Sequence, residues 1–457
     1  MLATESHALS QSRPNPHWSE QSPDTWWDAT VACMNQLAKL HNMNNVLAIG
    51  LSGQMHGAVL LDKSNQVLRP AILWNDGRSE LECVELERLV SNSREITGNL
   101  MMPGFTAPKL LWIKKHEPEC HRRIHKVLLP KDFLNFKLTG NFTTEMSDAS
   151  GSMWLDVANR TWNQDLISAC GLTLSQMPEL LEGTESHGNL HPALAELWGM
   201  HEVPVVAGAG DNAAGAVGIG VTEPGQAMLS LGTSGVYFIV SDGYHRNTDA
   251  AVHSFCHALP QRWHLMSVCL SAASCLQWFA DNIAFDSVSA LLSDVARSEQ
   301  DFGQAPIFLP YLSGERTPHN NPKATGVFVG LTHDTDRVAL TYAVLEGVCF
   351  ALRDGCDAVH SCGITPSEIS LIGGGARSTF WRQLLSDCLN LSIHYSDGNE
   401  IGPAMGAALL AKGFITGSIK ATPIKPVAKQ VHQPDAERHR VLNHRFERFK
   451  TLYPAIF

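Results

Sequence analysis

Residues 203–235 read VPVVAGAGDNAAGAVGIGVTEPGQAMLSLGTSG, and two patterns in this stretch decide the fold. Val203–Ala207 is a short continuous apolar run, the pattern of a fully buried strand. Gly208-Ala209-Gly210-Asp211 then leads into a helix of small residues. Ala227–Leu231 and Val236–Val240 are two further strands, separated only by Gly232-Thr233-Ser234-Gly235, so they close a tight hairpin. Between the two patterns Gly218, Gly220, Pro224 and Gly225 interrupt the periodicity, and a domain seam is expected near residues 220–226.

Outward from this stretch the alternation continues. Val46–Gly50 and Ala58–Asp62 read as strands around the loop Ser52–Gly57. His264–Val268 reads as a strand leading into a helix through Ser274, Leu276, Trp278 and Phe279, and Ala339–His360 has helical apolar spacing. Glu368–Ile372 is a strand that runs into Gly373-Gly374-Gly375 and a helix from Ser378 to Leu389. Short strands alternating with amphipathic helices define an α/β protein. The tail after Lys420 is richer in charge and histidine, and a helix there is expected to close the second domain.

A chain of 457 residues is too long for one ordinary core, so two domains are expected, 1–222 and 223–457. Apolar residues make up 44% and charged ones 17%, the balance of a well-buried globular protein rather than a disordered one. A net charge of −11 argues against a nucleic-acid or anionic-membrane surface, yet local amides and a metal can still bind a phosphate donor. The eleven cysteines have no regular spacing and no CxxC pair, so nothing resembles a disulfide framework. Met1–Pro16 lacks the apolar core of a signal peptide, and the Gly-rich stretch Val203–Val221 is broken by Asp211. The expected compartment is the cytoplasm.

Four constellations carry chemistry. In Gly232-Thr233-Ser234-Gly235 the glycines let backbone amides approach an anion and the hydroxyls add donors; the plainer alternative is a simple β-turn. Gly373-Gly374-Gly375-Ala376-Arg377-Ser378 stands between a strand and a helix, where amides suit phosphate or the ribose–adenine edge. No GxxxxGK[ST] loop occurs, which excludes a P-loop kinase. Asp211, framed by glycines at a strand end, can accept a proton from a hydroxyl during phosphoryl transfer, although an aspartate there also caps a helix. Gln54-Met55-His56-Gly57 and Trp74-Asn75-Asp76-Gly77-Arg78 pair polar groups with an aromatic face, as a polyol site requires.

Two weaker candidates are set aside. His253 and His257 share a strand face with Phe255, but no second ligand pair has matching spacing for zinc. Cys120, His121 and His125 read as a solvated helix face.

Taken together, these residues resemble the FGGY carbohydrate-kinase family over nearly the whole chain. Gly104-Phe105-Thr106-Ala107-Pro108-Lys109-Leu110-Leu111-Trp112 fits the family's N-terminal signature. Gly326-Val327-Phe328-Val329-Gly330-Leu331 with Ala343-Val344-Leu345-Glu346-Gly347 fits the C-terminal one, apart from Ala339 where a polar residue is usual. Residues 54–57, 74–78, 128–132 (Leu-Leu-Pro-Lys-Asp) and 311–318 (Tyr-Leu-Ser-Gly-Glu-Arg-Thr-Pro) narrow the likeness to a bacterial branch whose substrate is D-xylulose.

The resemblance implies two actin-like ATPase domains with a ribonuclease-H-like core around a central cleft. It implies transfer of the ATP γ-phosphoryl group to the 5-hydroxyl of D-xylulose with Mg²⁺. Asp211 would be the general base; Met55, His56 and Asn212 would join it around the sugar, with Trp74 as the aromatic face. Gly232, Thr233 and Ser234 would hold phosphate, and Gly374, Gly375 and Ala376 would meet the adenosine end. The implied partners are a sugar and ATP, with a homodimer as the assembly common in the family.

One departure bears on activity. The family opens with a strand, an Asp-x-Gly-Thr-type turn and a second strand, whereas this chain reaches Pro14-x-Pro16-x-Trp18-Ser19-Glu20 with no such turn before it. A first domain short by one hairpin is therefore expected, and with it either a truncated or mis-started product or a much weakened kinase. The rival readings are a sibling kinase for ribulose, gluconate, fuculose or glycerol, and a nucleotide-binding module that has lost catalysis.

Overall fold

The computed structural model describes residues 1–396, 402–418 and 430–457. They divide into two compact units: Met1–Gly220 with Ser254–Trp263 and 402–418, and Val221–His253 with 264–396 and 430–457. The chain thus passes between the units more than once.

In the first unit the strands Ser186–Asn189, Pro204–Gly210 and Ile49–Gly53 lie side by side. Pro204–Gly210 runs parallel to Ile49–Gly53, with Val205 opposite Ile49 and Gly210 opposite Gly53. The expected strands here stop too early: the pairing runs on through Ser52-Gly53 and Gly208–Gly210, residues of poor strand propensity that tertiary pairing overrides. The register slips between Val206 and Ala209. Gly208 absorbs the slip at φ 75°, where a Cβ would overlap the Leu51 carbonyl.

Small residues set the packing behind this edge. The helix Asp211–Gly218 packs on the helix Gly402–Thr416, where a Cβ at Gly406 would overlap the Ala214 carbonyl and one at Gly218 the Gly402 carbonyl. The run of small residues thus buys backbone-to-backbone contact. The long helix Pro23–Leu40 starts with proline, carries Asp24 in its first turn and Lys39 in its last, and buries Trp26 with Val59, Leu61, Leu73, Leu128 and Phe133. Before Glu20 the backbone forms only an isolated bridge, Ser12 to Glu20, and no hairpin. All five residues of Ile49–Gly53 are half-buried.

In the second unit the strands Trp263–Cys269, Gly235–Ser241, Gln226–Leu231, Glu368–Ile372, Ile393–Tyr395 and Gln430–His432 run in that spatial order within a seven-stranded sheet. Gln226–Leu231 and Gly235–Ser241 form the expected antiparallel hairpin. Gln226–Leu231 also runs parallel to Glu368–Ile372, with Ser230 opposite Ile372. The helix Arg337–His360 begins two residues before its apolar pattern because Asp336 caps the Ala339 amide at 2.8 Å. It buries Val344, Leu345, Val348 and Phe350 against Leu229, Leu231, Tyr237 and Leu371. Each such side chain contributes roughly 1.5–3 kcal/mol on burial.

The tail does end in a helix, Ala436–Ile456; residues 419–429 lie outside the described part. It adds Leu442, Phe446 and Phe449 to the same core. Arg445 reaches Glu346 through two hydrogen bonds of 2.6 Å, a buried pair that needs both partners.

Candidate active site

The candidate residues fall into two groups, a sugar half and a nucleotide half by the sequence expectation, each built by one unit. The sugar half sits at the carboxyl ends of the two parallel strands of the first unit, where open α/β sheets bind ligands. The loop after Ile49–Gly53 supplies Met55 and His56, and the helix after Pro204–Gly210 starts with Asp211 and Asn212. Met55 is buried, and its Cγ and Sδ lie 2.9 and 3.0 Å from where a Cβ on Gly210 would stand. The sulfur side chain therefore packs directly beside the base of Asp211.

His56 adopts φ 70°, a strained conformation for a non-glycine residue and of the kind found at functional sites. Its backbone is over-determined. The carbonyl accepts from Lys109 Nζ at 2.8 Å and Thr106 Oγ1 at 3.2 Å, while Nδ1 is 2.9 Å from the Gly151 carbonyl. The ring stands edge-on to Phe105 at 5.0 Å. Burial pushes the Lys109 ammonium down to about 7, with Asp76 opposing and Arg78 adding to the shift.

Asp211 Oδ1 accepts from the Asn212 amide at 2.7 Å and from Asn212 Nδ2 at 3.0 Å. Burial raises its proton affinity above the usual carboxylate range, and the Asn212 hydrogen bonds hold the rise in check. A carboxylate so placed is a better proton acceptor than one in water.

Trp74 differs from this group in its exposure. Its side chain is 52% exposed, whereas Asp76 and Arg78 of the same motif are locked into internal structure. Arg78 binds Asp76 through Nε at 2.9 Å and an Nη at 2.7 Å, and its guanidinium stacks 3.6 Å over Trp18. Within that motif Trp74 and Asn75 are the exposed residues.

The nucleotide half belongs to the second unit. Thr233 and Ser234 are exposed at the hairpin turn, and the turn's carbonyls are satisfied from behind. Thr233 O accepts from the Ala272 amide at 2.9 Å and Ser274 Oγ at 2.7 Å, and Gly232 O from the Ala273 amide at 2.8 Å. The Gly232 amide donates to the Ser234 carbonyl at 3.1 Å, so the exposed Thr233 and Ser234 are the residues of the turn that could offer donors to an anion.

Parallel pairing brings the second motif beside the first. Gly373, at φ 95°, would place a Cβ 2.7 Å from the Leu231 carbonyl group, whereas a Cβ on Gly374 would meet nothing within 4 Å. Gly375 fits against the Leu231 side chain. Ala376 is fully buried, with its carbonyl accepting from an Arg382 Nη at 2.7 Å, so it anchors the loop from within.

Sequence reading met Lys109 and Lys131 only as members of family motifs, with no role of their own, and did not name Glu145 or Asp148. Lys131, Asp132, Glu145 and Asp148 form a buried ionic cluster in the first unit, with Lys131 Nζ 2.8 Å from Asp132, 3.7 Å from Glu145 and 3.8 Å from Asp148. The available signal was a lysine and several acids inside otherwise apolar stretches. His121 also departs from expectation: Nε2 is 3.0 Å from the Cys170 carbonyl rather than solvated. His253 and His257 are both buried, and no cluster of three metal-ligating side chains occurs among the described residues.

Comparison with known proteins closes the case for the class. Residues 1–218 match the N-terminal domain of the FGGY family of carbohydrate kinases, and residues 227–412 match its C-terminal domain. The chain belongs to the FGGY family of carbohydrate kinases, with the actin-like, ribonuclease-H-like ATPase fold of that family, and is an ATP-dependent sugar kinase.

Among its relatives, it is 56% identical to the xylulose kinase of Escherichia coli over 100% of this chain and 94% of that one. It is 54% identical to the xylulose kinase of Klebsiella pneumoniae, covering 96% and 91%. A crystal structure described as a xyloylose kinase from Brucella ovis superposes with a TM-score of 0.95 at 44% identity, covering 98% of this chain and 93% of that one.

Proposed function

We propose that this chain phosphorylates the 5-hydroxyl of D-xylulose with ATP, using Asp211 as the general base. The observation that carries the reading is the meeting of the Met55-His56 loop with Asp211-Asn212 at one end of two parallel strands. Full-length similarity to relatives named xylulose kinase supports the choice of sugar.

In this reading Asp211 accepts the proton of the attacking hydroxyl. Asn212 keeps the carboxylate oriented through two hydrogen bonds. His56 and Met55 fix the sugar, and Trp74 offers its face to the sugar C–H surface. Gly232, Thr233 and Ser234 hold the phosphates, while Gly374 and Gly375 meet the adenosine end over the support of Ala376. Mg²⁺ would neutralise phosphate charge during transfer, an ion usually held by one or two carboxylates together with substrate phosphates.

A coupled ADP-release assay with ATP, Mg²⁺ and D-xylulose, beside ribulose, gluconate, fuculose and glycerol, tests the proposal. Highest kcat/KM on D-xylulose supports it; a tenfold preference for another polyol transfers the reading to that sibling activity. The alternative of a nucleotide-binding module without catalysis is not favoured by this degree of full-length identity. Eleven free thiols suit the reducing cytoplasm, and a homodimer is the assembly to look for by light scattering.

A further inference from the structure

Behind the sugar half, three carboxyls surround one ammonium, and all four side chains are 2% exposed or less. Two of the carboxyls are held by amides. Asp132 accepts from the Leu129 amide at 3.1 Å, and Glu145 from the Ser147 and Asp148 amides at 2.7 and 2.9 Å. Asp148 has no such support: both of its oxygens are buried without a hydrogen-bond partner.

A buried carboxylate that no donor reaches is strongly disfavoured, so the cluster's retained proton belongs on the acid that lacks donors. The surroundings push the same way. Burial raises the Asp148 proton affinity well above the usual range, Lys131 opposes, and Asp132, Glu145 and Asp211 add to the rise. Arg160, paired with Glu182 at 2.6 Å, acts on Glu145 from outside the cluster.

The helix that carries Asp148, Met146–Ser150, is fastened to both sides of the sugar half. Ser147 Oγ accepts from the Gly210 amide at 3.1 Å, next to Asp211, and the Gly151 carbonyl meets the His56 ring. Asp211 is close enough for its charge to help raise the proton affinity of Asp148.

We propose that Asp148 is a protonated carboxylic acid at neutral pH and a positioning residue for Asp211, leaving Asp211 as the ionised member of the pair. The inference rests on the reading of Asp211 as the base. An ionised Asp148 would instead set a second negative charge beside Asp211 and hold a proton on it.

Infrared spectroscopy of the free protein, with carbon-13 in the aspartate side-chain carboxyls, tests the protonation directly. At pH 7 a protonated-acid carbonyl stretch that shifts on labelling is expected in the wild type. It persists in Asp211→Asn and vanishes in Asp148→Asn. The pH profile of kcat/KM for D-xylulose tests the positioning role. Asp148→Asn keeps the midpoint of the acid limb, because asparagine matches the neutral acid. Lys131→Met moves the midpoint up by about one pH unit, a tenfold loss below it.

Absence of the band overturns the proposal, and so does an Asp148→Asn midpoint that falls, since that outcome means a negative charge was removed. Undiminished turnover by Asp211→Asn overturns the positioning role through the base reading, while the band separately decides the proton on Asp148. Circular dichroism melts establish folding for each variant; where Lys131→Met does not fold, the labelled wild type and Asp211→Asn carry the test.

Discussion

In the proposed reading, the two groups of candidate residues recognise their ligands by opposite means. The proposed sugar half uses partly buried side chains: Met55 is buried, Asp211 and His56 are half-buried, and the same unit buries Lys109, Lys131 and Asp148. The proposed nucleotide half uses partly exposed backbone and hydroxyls at Gly232–Ser234 and Gly373–Gly374, with Arg377 and Arg382 as the cations of its second loop. The difference follows from the ligands. A polyol is told from its siblings by individual hydroxyls, which calls for directed side chains and pays in desolvation. A phosphate chain is a diffuse anion, and amides serve it without placing a buried charge.

The largest effect expected from this contrast is at Asp211. Asp211→Ala should lower kcat by about 10²–10⁴ while ATP affinity by calorimetry changes less than about twofold. A parallel fall in ATP affinity would break the division into two halves.

Buried charge should also give the two units stability profiles of opposite sign. Lys109 in the first unit titrates near 7 when folded, so the unfolded chain binds the extra proton between pH 7 and 10.5 and stability rises with pH over that window. Glu315 in the second unit is pushed up to about 7 by burial, against hydrogen bonds to its Oε1 from the Leu270 and Arg316 amides. There the folded chain binds the extra proton between pH 4.5 and 7, and stability falls as pH rises. Each group contributes a slope of at most about 1.4 kcal/mol per pH unit. Denaturant titrations of Lys109→Met and Glu315→Gln should flatten the respective windows, and an unchanged profile in either would remove that group from the account.

On the nucleotide side, Gly373→Ala sets a Cβ against the Leu231 backbone at a φ of 95°, a strain of about 1–3 kcal/mol. The expected result is a KM for ATP raised about tenfold, with a lower melting temperature. Gly374→Ala meets open space, so the melting temperature should hold and only the KM for ATP should rise. An unchanged KM there would move the adenosine end elsewhere.

The smallest effect belongs to the hairpin hydroxyls. Thr233→Val or Ser234→Ala removes one exposed donor worth about 0.5–1.5 kcal/mol, seen as a KM for ATP raised about two- to tenfold with the KM for sugar unmoved.

Much of this was legible in one dimension because it is local. A strand, a glycine-framed acid and a four-residue turn announce themselves within a few residues, and so Asp211, the Met55-His56 loop and the Gly232–Gly235 hairpin could be read directly. Trp74 shows the limit of that method: its motif reads as one binding cluster, yet Asp76 and Arg78 are consumed in holding the chain together. Lys131 and Asp148 show another. A buried charge leaves no periodic trace, and its partners come from segments that only folding collects.

By itself, then, the sequence determined the α/β alternation, the family signatures and the chemical type of each site residue, since these depend on neighbours along the chain. Only the tertiary structure decided which loops meet. Parallel pairing of Ile49–Gly53 with Pro204–Gly210, and of Gln226–Leu231 with Glu368–Ile372, joins residues more than a hundred positions apart. It also decided the proton affinities of Asp211, Lys109 and Asp148, because desolvation is a property of the packed interior and not of the residue.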